Sequence, residues 1–183
     1  MSTGKTRRHH PVLRGLVAAV ICLATLFAAS LPLYVFPPQS APKPADVVFV
    51  IGPPRWWRIV WARRLIAAGD ARALMISVPD PASEPACHAQ QSYPVFCQRV
   101  TPFTTQGEAR WLQGAMARHG WNRAIVITTT PHVVRTRLVM DRCVPSGVQV
   151  VGRPTDLTLG DWAYQYAYQT GAFFKAFFVT DTC

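Results

Sequence analysis

The chain has 183 residues, half of them hydrophobic and 15% charged, a composition that can bury one core, excludes wholesale disorder and leaves too little length for two domains. With 19 basic against 9 acidic residues its formal net charge is +10. That balance points to an acidic partner and leaves nucleic acid, anionic lipid headgroups and cell-wall polyanions to be separated by compartment.

Lys5, Arg7, Arg8 and Arg14 fall within residues 1–14, while every acidic residue lies beyond Phe36. The stretch 15–36, GLVAAVICLATLFAASLPLYVF, carries no charge, and about 22 residues at about 1.5 Å each reach about 33 Å, enough to cross a bilayer's hydrocarbon core. It predicts a transmembrane helix. The basic cluster before it predicts a cytoplasmic N-terminus and an extracytoplasmic remainder, so the cytoplasmic membrane is one partner and nucleic acid is not. A cleaved signal peptide competes, because Ala28, Ala29 and Ser30 are small residues behind the apolar run. A lipoprotein site at Cys22 is disfavoured by the bulky Ile21 before it. Residues 37–45, PPQSAPKPA, read as a proline-rich tether, and 46–183 as the folded domain.

Within 46–183, DVVFVIG (46–52) has the β-branched run of a strand buried on both faces of a parallel sheet. RIVWARRLIAAG follows with Ile59, Ala62, Leu65 and Ile66 at helical spacing and Gly69 as its stop. ALMIS (73–77) is a second buried strand, completing a βαβ unit. A polar, proline-rich insertion runs from Pro79 to Pro102, and a helix is predicted from Thr105 to about His119. RAIVITT (123–129) is a third strand. Thr130 and Pro131 read as N-cap and first residue of a helix reaching about Arg142, GVQVVG (147–152) as a fourth strand, and DWAYQYAYQTGAFFKAFF (161–178) as an aromatic helix covering one face of the sheet. Alternating strands and helices imply a three-layer α/β domain with a mainly parallel sheet, which receives ligands beyond the carboxyl ends of its strands.

Four cysteines, Cys87, Cys97, Cys143 and Cys183, lie outside the apolar segment. An even set supports export, and of the three possible pairings Cys87–Cys97 and Cys143–Cys183 are favoured, against free buried thiols. No CxxC is present, and His88 beside Cys87 has no second histidine nearby, so no metal site is expected.

The most specific local feature is ITTTPHVVRT (127–136), where a buried strand breaks into threonines and restarts as a helix carrying His132 and Arg135. Three residues apart, they share a helix face near an N-terminus whose free N–H groups favour an anion, so phosphate or carboxylate is the natural guest. The bland alternative pairs Arg135 with an acid such as Asp141 and leaves His132 on a loop carbonyl. In PFTTQGEAR, Thr105 and Glu108 have capping-box spacing, which explains both; functionally, Glu108 could act as a base at the same sheet edge. IGPPRWWR offers Gly52 for close approach and Arg55 or Arg58 for a phosphate, but no dinucleotide fingerprint. Trp56 and Trp57 read as core or membrane-facing packing. Ser77 could hydrogen-bond a ligand and lacks the GxSxG elbow of a nucleophile.

Four blocks, DVVFVIG, RIVWARRLIAAGDARALMIS, TTQGEARWLQGAMARHGW and AIVITTTPHVVRTRLVMDRC, resemble in order and spacing the YdcF-like (SanA/ElyC/YdcF) family, in which a Rossmann-like domain often follows one transmembrane helix. The family's strand, threonine, histidine and arginine pattern stands here as Thr128, Thr129, His132 and Arg135. The resemblance implies pocket positions at Gly52, Arg58, Ser77, Thr105, Glu108, His132 and Arg135. The chain departs from the family in having Pro53 and Pro54 after Gly52, Val78 and Pro79 after Ser77, and Gly107–Glu108 where many members have Glu–Asn. The TTxGEA form and the aromatic terminal helix look like an actinobacterial branch.

The resemblance implies a role in envelope integrity, peptidoglycan biogenesis or lipid-carrier metabolism, without a settled reaction or cofactor. The expected function is therefore an envelope-biogenesis protein holding an anionic, phosphate-bearing ligand such as a lipid-linked cell-wall precursor. Arg58 and Arg135 would clamp charge, and His132 with Glu108 would supply acid/base chemistry if any occurs. A non-catalytic sensor or scaffold is the rival. A methyltransferase-like protein using S-adenosylmethionine fits the fold but fits export badly.

Overall fold

The computed structural model describes residues 11–39, 41–180 and 182–183; the basic residues Lys5, Arg7 and Arg8 lie outside them. Helix α1 (Pro11–Tyr34) is long and apolar enough to cross a membrane. It ends two residues earlier than the apolar run, where the Val35 and Phe36 amides both turn back to the Leu31 carbonyl ahead of Pro37, which cannot continue the helix.

Five strands form one parallel sheet: β1 (Val47–Val50), β2 (Ala73–Ser77), β3 (Val95–Gln98), β4 (Ala124–Thr129) and β5 (Val148–Arg153), in the order β3-β2-β1-β4-β5. The central strands β1 and β2 are buried at every position, as their unbroken apolar runs require. Helix α2 (Trp56–Ala67) covers one face, packing Ile59, Ala62 and Leu65 on Val48, Val50, Leu74 and Ile76. Helices α3 (Thr105–His119) and α4 (Val133–Cys143) cover the other, over Val47, Phe49, Met75 and Val126. The domain is a three-layer α/β fold.

Three local expectations are corrected. The insertion contains a strand, β3, which the sequence pattern of four strands misses: it is a four-residue edge strand with no fully buried residue, so alternation is too short to show. After β4 the chain makes a 3-10 turn, Thr130–His132, and α4 begins only at Val133; Thr130 is not an N-cap. The aromatic helix, α5 (Leu159–Phe178), does not cover the sheet. It stacks outside α4 and beside α1, with Gln169 and Ala176 its only buried residues.

Both disulfides are formed, Cys87–Cys97 and Cys143–Cys183. The first anchors β3 to the insertion; the second ties the end of α4 to the chain terminus.

The tether fixes how the domain hangs from α1. Gln39 accepts the Gly152 N–H at 2.5 Å, and Lys43 and Gln149 exchange two bonds at 2.8 and 2.9 Å. It therefore runs antiparallel to β5 and covers that strand's open edge. At its far end the Asp46 carboxylate takes the Asn122 and Arg123 amides and the Arg72 guanidinium, locking the amino-terminal edge of the sheet. Because the tether starts at α1 and finishes at the amino-terminal edge, the carboxyl edge lies on the side of α1.

Candidate functional site

The chain leaves β1 toward β2 and β3 and then crosses to β4 on the other side, so β1 and β4 diverge at their carboxyl ends, the place where an open α/β sheet makes its crevice. Every position singled out in the sequence comes to this edge. Gly52 follows β1, Ser77 ends β2, Thr128 and Thr129 end β4, Arg58 comes from α2, Thr105 and Glu108 from the first turn of α3, and His132 and Arg135 from the start of α4.

Glu108 is 3% exposed and accepts the Gly52 N–H at 2.5 Å. The capping box expected of Thr105 and Glu108 does not form. Thr104, extended at φ −144 and ψ 162, is the N-cap, and its hydroxyl accepts the Gly107 N–H at 3.3 Å. This shift of one residue places Glu108 beyond reach of the cap and aims it across to β1. Close approach depends on two glycines. A Cβ on Gly52 would stand 2.7 Å from the Phe103 ring and 2.8 Å from the Ser77 carbonyl, and one on Gly107 would stand 2.1 Å from the Pro102 carbonyl.

Burial raises the Glu108 carboxyl to about 7, against the pull of the Gly52 amide and the Arg58 and Arg135 charges. Arg58, 5% exposed, is lowered by burial to about 10, with Glu108 acting the other way. Its guanidinium donates to the Ile51 carbonyl at 2.8 Å and to the Pro53 carbonyl, while Nε is buried without a partner. The Ser77 hydroxyl is fully buried and faces the Glu108 carboxyl, whose pKa it helps to hold down.

His132 stands between two threonines, with Nδ1 3.1 Å from the Thr128 hydroxyl and Nε2 3.5 Å from the Thr105 hydroxyl. Burial and the Arg135 and Arg58 charges hold its pKa well below the usual histidine value, so the ring is neutral. Arg135 also reaches Thr105 Oγ1, at 3.4 Å, and donates from Nε to Gln169 Oε1 at 3.0 Å. The two side chains thus converge on one hydroxyl. Neither bland alternative holds: Arg135 pairs with an amide of α5 rather than with Asp141, and His132 meets hydroxyls rather than a carbonyl.

The cluster is roofed by Phe103 and by α5, whose Tyr168 ring lies 5.9 Å from the Arg135 guanidinium carbon. Open space lies beside it, in a cleft of about 650 Å³ between the starts of α2 and α5. Arg55, Arg64 and Arg153 line this cleft with Trp56, Asp156 and Asp161, and Thr129 and Pro131 form the wall shared with the cluster. Among the described residues no His, Cys, Asp and Glu group could hold a metal ion.

Sequence reasoning missed Gln169 and Tyr168, which stand in an aromatic run that reads as packing, and Arg64 and Arg153, which no motif marks. A glutamine inside an otherwise apolar helix face was the one available signal for the first. Compared with protein-family models, with curated proteins and with solved structures, the chain matches none.

Proposed function

We propose that this is a YdcF-like envelope-biogenesis protein, its domain outside the cytoplasm, that binds an anionic, phosphate-bearing ligand at the carboxyl edge of its sheet. A lipid-linked cell-wall precursor is the ligand class it suits. The observation that supports this most is the convergence of Arg135, His132 and Thr105 at the switch point, next to a cleft carrying three further arginines. A carboxyl raised by burial to about 7 in the first turns of α3 and a neutral imidazole at the start of α4 are acid and base groups suited to phosphoryl chemistry near neutral pH.

A non-catalytic sensor is favoured by one specific observation. Arg58 already spends both terminal nitrogens on backbone carbonyls, so part of the charge in the cluster holds the fold together.

The test is calorimetry and product analysis on the full chain in lipid nanodiscs, with inorganic pyrophosphate and a polyprenyl pyrophosphate as probes. Binding lost in Arg135→Gln supports the site, and release of phosphate lost in His132→Ala supports an enzyme. Binding without turnover leaves the sensor. No binding of either probe overturns the proposal.

A further inference from the structure

Helix α5 is apolar on more than its packed side. Between Asp161 and Lys175 it has no charged residue, and its outward positions include Leu159 at 91% exposed, Tyr164 at 62% and Phe174 at 64%. A helix that is apolar around its circumference belongs in a core or in lipid, and here the domain leaves it uncovered.

Its neighbour shows what covers it. Tyr166 stacks on Phe27 at 5.6 Å and meets Tyr34 edge-on at 5.0 Å, while the Tyr34 hydroxyl bonds Thr170 at 3.0 Å and its ring lies 6.0 Å from Phe173. The contacts climb together along both helices, so α5 runs in the same direction as α1 and its N-terminal end lies deepest. Seven residues of helix separate Phe27 from Tyr34, about 10 Å, so Tyr166 stands level with the last turns of the membrane-length helix. Trp162, one turn earlier, lies 6.4 Å from the Tyr166 ring, and Leu159 precedes it at the open start of the helix.

The tether gives the same orientation independently, since it places the carboxyl edge of the sheet on the side of α1. At that edge Trp56, 75% exposed, opens α2, and Arg55, Arg64 and Arg153 surround the cleft, outnumbering Asp156 and Asp161. Apolar and aromatic side chains at the rim with arginines just behind them match an interface whose acyl region lies below its phosphates.

We propose that α5 is a second membrane element: in its N-terminal half Leu159, Trp162 and Tyr166, on the side of the helix beside α1, enter the leaflet, while the exposed Asp161 on the other side stays with the cleft at headgroup level, so that α5 seats the carboxyl edge on the bilayer and opens the arginine cleft to lipid phosphates. This rests on α1 lying in a membrane and not on the ligand reading above.

The test is nitroxide accessibility on the full chain, carrying Cys22→Ser, in vesicles of phosphatidylcholine with phosphatidylglycerol. Labels are placed at Leu159→Cys and Ala163→Cys, both exposed and so harmless to packing, and at Ser146→Cys on the opposite edge of the sheet. At the two α5 positions, oxygen accessibility is expected to exceed that of a polar nickel chelate severalfold, with the reverse at Ser146. Nickel accessibility at Leu159 and Ala163 equal to that at Ser146 places α5 in water and overturns the proposal, whether or not pyrophosphate binds.

Discussion

The Nε of Arg135 donates to the amide oxygen of Gln169 at 3.0 Å, a buried bond that joins the polar cluster to the aromatic helix. Gln169 is 2% exposed, so its loss leaves a charged donor without water to replace it. Gln169→Ala is expected to lower stability by about 2–3 kcal/mol. Combining it with Arg135→Met should cost less than the two single changes together, because removing both partners leaves no orphan. Urea unfolding of the detergent-solubilised chain reads both; additive losses would show that the pair does not interact.

Glu108 and His132 should oppose each other in pH dependence. With a folded pKa of about 7 against an ordinary 4.5, Glu108 keeps a proton in the folded chain that the unfolded chain has released, so stability falls as pH rises between those values. His132, held well below 6.5, refuses a proton that the unfolded chain accepts, so stability falls as pH drops below 6.5. In the parent protein the two slopes partly cancel between 4.5 and 6.5. Glu108→Gln is expected to leave stability rising with pH up to 6.5, and His132→Gln to leave it falling toward pH 7 by a total of about 3 kcal/mol. Unfolding midpoints across this range measure the slopes, and the same sign in both variants would contradict the assignment.

Much of this arrangement was legible in the chain, for a physical reason. β1, β2 and β4 are buried on both faces, so their apolar runs are unbroken, and helix faces such as Ile59, Ala62 and Leu65 must repeat at helical spacing. His132 and Arg135 share a face by local geometry alone. What depends on contacts between distant segments was not legible. Glu108 read as a cap because capping needs only its own helix, whereas its actual partner, Gly52, is 56 residues away. The aromatic helix read as sheet cover because its pattern shows that it packs and not on what; the contacts with Phe27 and Tyr34 show that it lies beside α1.

Gly52 and Gly171 should respond in opposite ways to alanine. At Gly52 the added methyl meets Phe103 and the Ser77 carbonyl inside 3 Å, and backbone on one side has no room to yield. A loss of about 1–3 kcal/mol is expected. Gly171, in the middle of α5, meets nothing within 4 Å, so alanine should add up to about 1 kcal/mol through helix propensity. Thermal unfolding of the two variants gives the comparison, and a neutral Gly52→Ala would mean that Glu108 and Phe103 are packed more loosely than the structure has them.

The two disulfides should contribute unequally and in different places. Closing 10 residues, Cys87–Cys97 is expected to stabilise by about 3 kcal/mol, and closing 40, Cys143–Cys183 by about 4 kcal/mol. The second also positions the end of the chain: Arg110 donates to the Cys183 carbonyl at 2.5 Å, Gln106 to that of Thr182 at 2.8 Å, and Arg142 to those of Ala176 and Thr180. Removing it with Cys143→Ser and Cys183→Ser frees the segment beyond α5 from α3, and α5 then holds to the domain through Gln169, the buried Ala176 and the Arg142 bonds. Trypsin should cut after Lys175 faster in that variant than in the parent, while Cys87→Ser with Cys97→Ser should leave that site protected and expose the bond after Arg99 instead. Equal cleavage at Lys175 in both pairs would show that the aromatic helix is held by α1 and not by the terminus.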